Sequence, residues 1–310
     1  MSGAAPAGRQ GRRRAFLFGL WFALAGWCGS SQAGVMRYCD PQAQHSAAQK
    51  DKLFRFAGII KAELDKSGQS LALIARSGLD LRRFGYRYSH AGFSLKASRD
   101  TPWAVRQLYY ACDEQKPQIY DQGMSAFVLG GDEPSLGYVS VVFVPLAEAT
   151  ELERAALDNR QALQMLGPTY SANAYPFSVL YQNCNQWVAE LLAAAWGHLD
   201  DAGEPRAGAQ RWLQQQGYRP SVFDVGQPLM SLGSFVPWLH SDDHPPADIG
   251  QKIYRVSMPA SIEAFVQAAV PGATRIEFCH TEREVVIRRG WDSIAEGCRP
   301  GEQDTVVRLD

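Results

Sequence analysis

Residues 183–197, NCNQWVAELLAAAWG, constrain this chain more than any other stretch. Cys184, Trp187, Val188, Leu191, Leu192 and Ala195 recur at helical spacing and form one apolar stripe, which must be buried against a second layer. Asn183 is a good N-cap and Gly197 a stop. Strands upstream supply the second layer. LALIA (71–75) is a short apolar run, and HAGFSL (90–95) alternates, with His90, Gly92 and Ser94 on one side and Ala91, Phe93 and Leu95 on the other. TPWAVRQLYYAC (101–112) reads as a further strand, and YVSVVFV (138–144), closed by Pro145, is the clearest one.

Two helices complete the core. One spans 46–68, with a Ser46/Gln49 capping box, Leu53, Phe56, Ile60 and Leu64 on one face, and Gly68 at its end. The other spans 149–167 and stops at Gly167 and Pro168. YDQGMSAFVLGG (120–131) reads as a short helix or an ordered loop. Beyond 198 the sequence predicts a helix near 206–216, a Pro- and Gly-rich segment, a strand over 252–258, a helix capped by Ser261, and a hairpin pairing 274–279 with 284–289. The fold class is therefore α+β: an antiparallel sheet packed against the Cys184 helix, with a C-terminal elaboration over 198–310.

The N-terminus reads as an export signal. Arg9, Arg12, Arg13 and Arg14 precede a 13-residue apolar run, Ala15 to Trp27, too short to span a bilayer. Small residues Ser31 and Ala33 place cleavage after Ala33, so residues 1–33 form a signal peptide and the mature chain is expected in the periplasm. Acylation of Cys28, or a retained anchor, is the lesser alternative; Trp27 is too bulky for a lipoprotein site. No later segment is long and apolar enough to span, so no stable transmembrane segment is expected after cleavage. Cleavage removes four of 31 basic residues and none of 32 acidic ones, leaving 27 against 32. That balance, without a basic run, argues against nucleic acid as a partner.

Export also changes the cysteine count. Without Cys28, five remain: Cys39, Cys112, Cys184, Cys279 and Cys298. An oxidising compartment leaves one of five unpaired. Cys279 with Cys298 is the first choice for a disulfide and Cys39 with Cys112 the second, although four cysteines allow three pairings. Cys184 is the candidate nucleophile. Its place in the first turn after Asn183 exposes it to unpaired backbone N–H groups and the positive end of the helix dipole, which favour a thiolate. His90, opening the strand expected to pack on that helix, is the candidate base.

YSHAGFSL, followed much later by a helix opening NCNQWVAELL, resembles the circularly permuted branch of the NlpC-type, papain-like cysteine peptidase and amidase superfamily. The resemblance covers roughly residues 70–197 and implies a permuted papain-like core over 34–197, with the histidine strand before the nucleophile helix. It implies Cys184 as nucleophile and His90 as base, with Gln107 (in VRQL) as the polar residue that orients the imidazole. It also implies a cell-envelope amide, such as a peptide, or a related acyl bond as substrate. More narrowly, RYCDP, RFGYRYSHAGFSL, LYYACDEQ, YDQG and YQNCNQWVAELL resemble a family of exported proteobacterial proteins whose activity is not established. The competing reading is a non-catalytic envelope binding module that keeps the same fold.

Tyr181, Asn183 and Asn185 are candidates for the substrate or oxyanion neighbourhood. Arg82, Arg83 and Arg87 could steer an anionic substrate, but read first as a solvated basic loop. His240 and His244 have ligand-like spacing, yet Pro237, Pro245 and Pro246 make the segment a loop, and no metal is assigned there. The sequence has no Gly-rich phosphate loop, G-x-S-x-G, H-E-x-x-H or C-x-x-C, so no cofactor is implied.

Overall fold

Alternation along the strands governs the architecture: successive side chains point to opposite faces, so an apolar strand needs a helical layer on both sides. The computed structural model describes residues 1–3, 45–111, 114–131, 133–199, 203–233 and 236–309. In chain order the elements are α1 (Ala47–Lys66), β1 (Leu71–Arg76), β2 (His90–Leu95), β3 (Ala104–Ala111), β4 (Lys116–Gln122), α2 (Met124–Leu129), β5 (Gly137–Phe143), α3 (Leu146–Leu157), α4 (Asn159–Gln164) and α5 (Cys184–Trp196). There follow α6 (Pro205–Gln215), β6 (Ser221–Asp224), α7 (Gly226–Gly233), α8 (Pro246–Gln251), β7 (Ile253–Val256), α9 (Pro259–Ala269), β8 (Thr274–His280), β9 (Glu284–Arg289) and β10 (Thr305–Arg308).

Eight strands form one antiparallel sheet in the order β10-β9-β8-β5-β1-β2-β3-β4. On one face Leu71, Leu73, Phe93 and Leu108 pack with Trp187, Val188 and Leu191 of α5, alongside α3 and α9. On the other, Ala72, Ile74, Val105 and Val141 pack with Phe56 and Ile60 of α1 and Phe127 of α2. The mixed α+β fold with a large antiparallel sheet against the Cys184 helix is as expected. The Ser46/Gln49 capping box is also present.

Several expectations need correction. The helix over 149–167 is two helices, because Asp158 adopts an extended ψ of 103° and its carboxylate accepts from the N–H groups of Arg160 and Gln161, starting α4. The short helix expected within 120–131 is α2, but the strand ahead of it is not foreseen: β4 is a polar edge strand whose Pro117 needs no inward N–H. Ser261 does not cap α9; Met258 holds that position, and the Ser261 hydroxyl binds back to the Met258 backbone. The segment after 198 extends the central sheet through β8, β9 and β10, while β6 and β7 pair separately over Phe223, Tyr254 and Val256.

Cys279 on β8 is disulfide-bonded to Cys298, with Cα atoms 5.7 Å apart. Cys39, Cys112 and the export segment lie outside the described residues. The bridge closes a loop of 19 residues, so replacing both cysteines with alanine is expected to lower stability by about 3 kcal/mol. A urea midpoint unchanged by the substitution would contradict that. Among the described residues no helix is long and apolar enough to cross a membrane.

Candidate functional site

The site begins with the capping of α5. Asn183 is extended (φ −104°, ψ 173°), and its side-chain oxygen accepts from the Gln186 N–H at 2.7 Å. Cys184 is therefore the first helical residue, and among the described residues it is the cysteine without a disulfide. From Cys184 to Ala195 the helix is buried on every side. That burial decides the state of the thiol, which is pushed up to about 11 by desolvation. The Asn185 N–H, the Arg76 charge, the Cys184 N–H and the Tyr170 hydroxyl all act in the opposite direction and are outweighed. The thiolate expected from the helix start is thus not the resting form; the structure holds a neutral thiol.

His90 and Gln107 are brought together. His90 Nε2 lies 2.7 Å from Gln107 Oε1, and Gln107 Nε2 donates to Gln122 Oε1 at 2.8 Å. With Oε1 of the amide facing the ring, and an amide oxygen able only to accept, Nε2 carries the imidazole proton. Nδ1 makes no hydrogen bond with the described residues and is not among the fully buried unpartnered atoms, which leaves its lone pair open to a proton donor. Burial pulls the imidazole down to about 3, and the Arg76 charge acts in the same direction against the Gln107 bond. His90 is neutral at every ordinary pH.

The imidazole and the thiol approach from different faces of the sheet. His90 shares its face with Arg76, its partner across β1 and β2, and its ring lies 4.7 Å from Tyr109 and 6.3 Å from Phe127 of α2. Cys184 belongs to the α5 face. The sheet splits beside His90. The β2–β3 ladder stops at Phe93–Arg106, although β1 stays paired with β2 to His90 and β3 with β4 to Ala111. Gly92 sits at this point, where a Cβ would come within 2.7 Å of the Arg106 carbonyl and of Val105 Cγ1. The first turn of α5 docks at the same end of the sheet, where Asn185 Nδ2 donates to the Ser89 carbonyl at 3.1 Å.

Asn185 is thus a buried tie between α5 and the start of the histidine strand, and its Oδ1 has no partner. Tyr181 does not join the thiol: its hydroxyl bonds Asp242 and its ring stacks flat on His240 at 4.1 Å. The hydroxyl acting on the thiol belongs to Tyr170, whose ring stacks on Tyr110 of β3 at 5.1 Å. The sequence does not mark Tyr170, because a bridge to Gln182 in the segment entering α5 places it there. Arg76 was missed for a similar reason, since it closes an apolar run that reads as ending at Ala75.

The remaining candidates have structural partners. Arg82 pairs with Asp80, and Arg87 pairs with Glu277 and Glu296 while lying over the Tyr138 ring. His244 is buried, with Nε2 against the Asn173 carbonyl at 2.8 Å. Among the described residues no group of three or more His, Cys, Asp or Glu side chains could hold a metal.

A family model described as an uncharacterized protein conserved in bacteria (DUF2145) matches residues 63–266, a span holding Arg76, His90, Gln107, Tyr170 and Cys184. No curated protein and no solved structure matches the chain.

Proposed function

The chain belongs to this bacterial family, and we propose that it is an exported thiol hydrolase acting on an amide or related acyl bond. The observation that carries the reading is the His90–Gln107–Gln122 chain, which holds a neutral imidazole with Nδ1 open. Such an imidazole is a base waiting for a proton, and Cys184 is the unpaired thiol at the same end of the sheet. The arrangement resembles a papain-like core with the histidine strand ahead of the nucleophile helix. The apolar N-terminal run is read as an export signal, and on that reading the substrate is periplasmic, where envelope peptides supply amide bonds.

In this reading the Cys184 proton passes to His90 Nδ1 as Sγ attacks the carbonyl carbon across the β2–β3 split. Negative charge moves to the carbonyl oxygen, where backbone N–H groups of the first turn of α5 stabilise it. The imidazolium then protonates the leaving amine as its bond to carbon breaks, giving a thioester on Cys184. His90 then takes a proton from water as its oxygen attacks the thioester carbon; the C–S bond breaks to release the acid, and the imidazolium returns its proton to Sγ. Gln107 accepts from Nε2–H throughout and keeps the ring in one tautomer.

A second reading, a non-catalytic envelope binding module, draws on the buried and protonated thiol. Turnover of a panel of model amides, thioesters and activated esters separates the two. Cys184→Ala is expected to reduce turnover to background with an unchanged circular dichroism spectrum; undiminished turnover would place the chemistry elsewhere.

A further inference from the structure

Three arginines are buried among the described residues: Arg76, Arg206 and Arg275. Two have their own acids. Arg206 pairs with Glu190, and Arg275 pairs with Glu263 and Glu277. Arg76 is equally buried, at 6 % exposure, yet no carboxylate of the described residues lies within ion-pair distance of it. Its Nη2 donates to the Tyr109 hydroxyl at 2.8 Å and its Nη1 to the Ser77 carbonyl at 3.3 Å, while Nε is completely buried without a partner. An uncompensated buried cation is costly.

Arg76 is the cross-strand partner of His90, and Tyr109, which it holds, packs against the His90 ring. Its guanidinium lies over the ring of Phe127, which also faces His90. The other titratable groups around it are Tyr109 and, lining the same small cavity, His45, Glu133, Tyr138 and His280. Glu133 is bonded to the Ser135 backbone and does not pair with Arg76. We propose that Arg76 is a positioning residue of the thiol site: a buried cation without an acid of its own, held beside His90 from across the β1–β2 ladder and through Tyr109 and Phe127. The assignment rests on the thiol-site reading above. Its charge disfavours positive charge at His90 and favours negative charge at Cys184, lowering the imidazole and the thiol alike. The counter-charge that Arg76 lacks at rest arrives with the thiolate and the oxyanion that follows it.

The test compares Arg76→Gln, which removes the charge but can still donate to Tyr109, with Arg76→Lys, which keeps the charge. Two readouts are independent of turnover: the NMR titration of His90, and the rate at which iodoacetamide modifies Cys184 at a fixed pH below the thiol's midpoint. Loss of the cation is expected to raise the His90 midpoint by about one unit and to slow alkylation about tenfold, with lysine retaining most of both. Arg76→Met, which suits a buried apolar position, carries the same expectation if the glutamine variant does not fold. A folded neutral variant that matches the wild type in both readouts would overturn the assignment, as would a lysine variant that behaves like glutamine. If His90→Ala leaves acyl transfer intact while the neutral variant still shifts both readouts, the dyad fails and the role of Arg76 stands.

Discussion

Replacing His90 with alanine is expected to slow acyl transfer to Cys184 by about 10²–10⁴-fold. The size follows from the state of the thiol. With desolvation holding it near 11, only about one molecule in 10⁴ carries a thiolate at neutral pH, so an unassisted Cys184 is a poor nucleophile. A base that takes the proton during attack removes that handicap, and His90 Nδ1 is the open lone pair near that end of the sheet. The imidazole's own depressed midpoint, about 3, keeps it neutral before attack but also makes it a weak base toward a thiol near 11, so the proton must move together with attack on the carbonyl and not ahead of it. The measurement is the rate of nitrophenolate release from an activated acyl ester, compared between wild type and His90→Ala. Equal rates would leave His90 as a packed strand-end residue and favour the binding-module reading.

The second large effect concerns the helix that carries the thiol. Glu190 lies fully buried within α5, and its carboxylate accepts from Gln182 Nε2 at 2.6 Å, Gln210 Nε2 at 2.7 Å, Arg206 Nε at 2.8 Å and Gln186 Nε2 at 3.0 Å. Each of these donors also reaches a backbone carbonyl, but Glu190 is the carboxylate they share and the ion-pair partner of Arg206. Glu190→Ala leaves a buried guanidinium without its acid, and is expected to cost about 3–5 kcal/mol, read as a lowered urea midpoint. Replacing Glu190 and Arg206 together with methionine removes both charges and should recover most of the loss. A single alanine substitution that leaves the midpoint in place would show that the cluster is solvated. The cluster also matters for the site. Arg206 donates to the carbonyls of Val179 and Tyr181, fixing the segment that leads into Asn183 and Cys184.

What the sequence made legible was local. The capped stripe of α5, the Ser46/Gln49 start of α1 and the alternation of HAGFSL each express a period or a cap that neighbouring residues set by themselves. Gln107 was reached through the resemblance, and the structure places its amide on the His90 ring. Other features depend on residues far apart in the chain. Strand β4 is polar and sits at the sheet edge, so no apolar alternation announces it. Tyr170 reaches the thiol by pairing with the segment before α5, and Arg76 gains its meaning from His90 across the ladder and from the acid it lacks. The ionisation of Cys184 was misjudged for one physical reason: helix position is written in the sequence, while the burial that outweighs it is set by the assembled layers.

The most direct test of the central claim is to look for the intermediate. The folded wild-type chain is exposed briefly to an activated acyl ester at neutral pH, quenched in acid, digested and examined by mass spectrometry. One acyl group per chain on the peptide containing Cys184, nearly absent after the same exposure of His90→Ala, is the result expected of a thiol acyl-transfer site. No adduct on Cys184, or an adduct that forms as fast without His90, would contradict it.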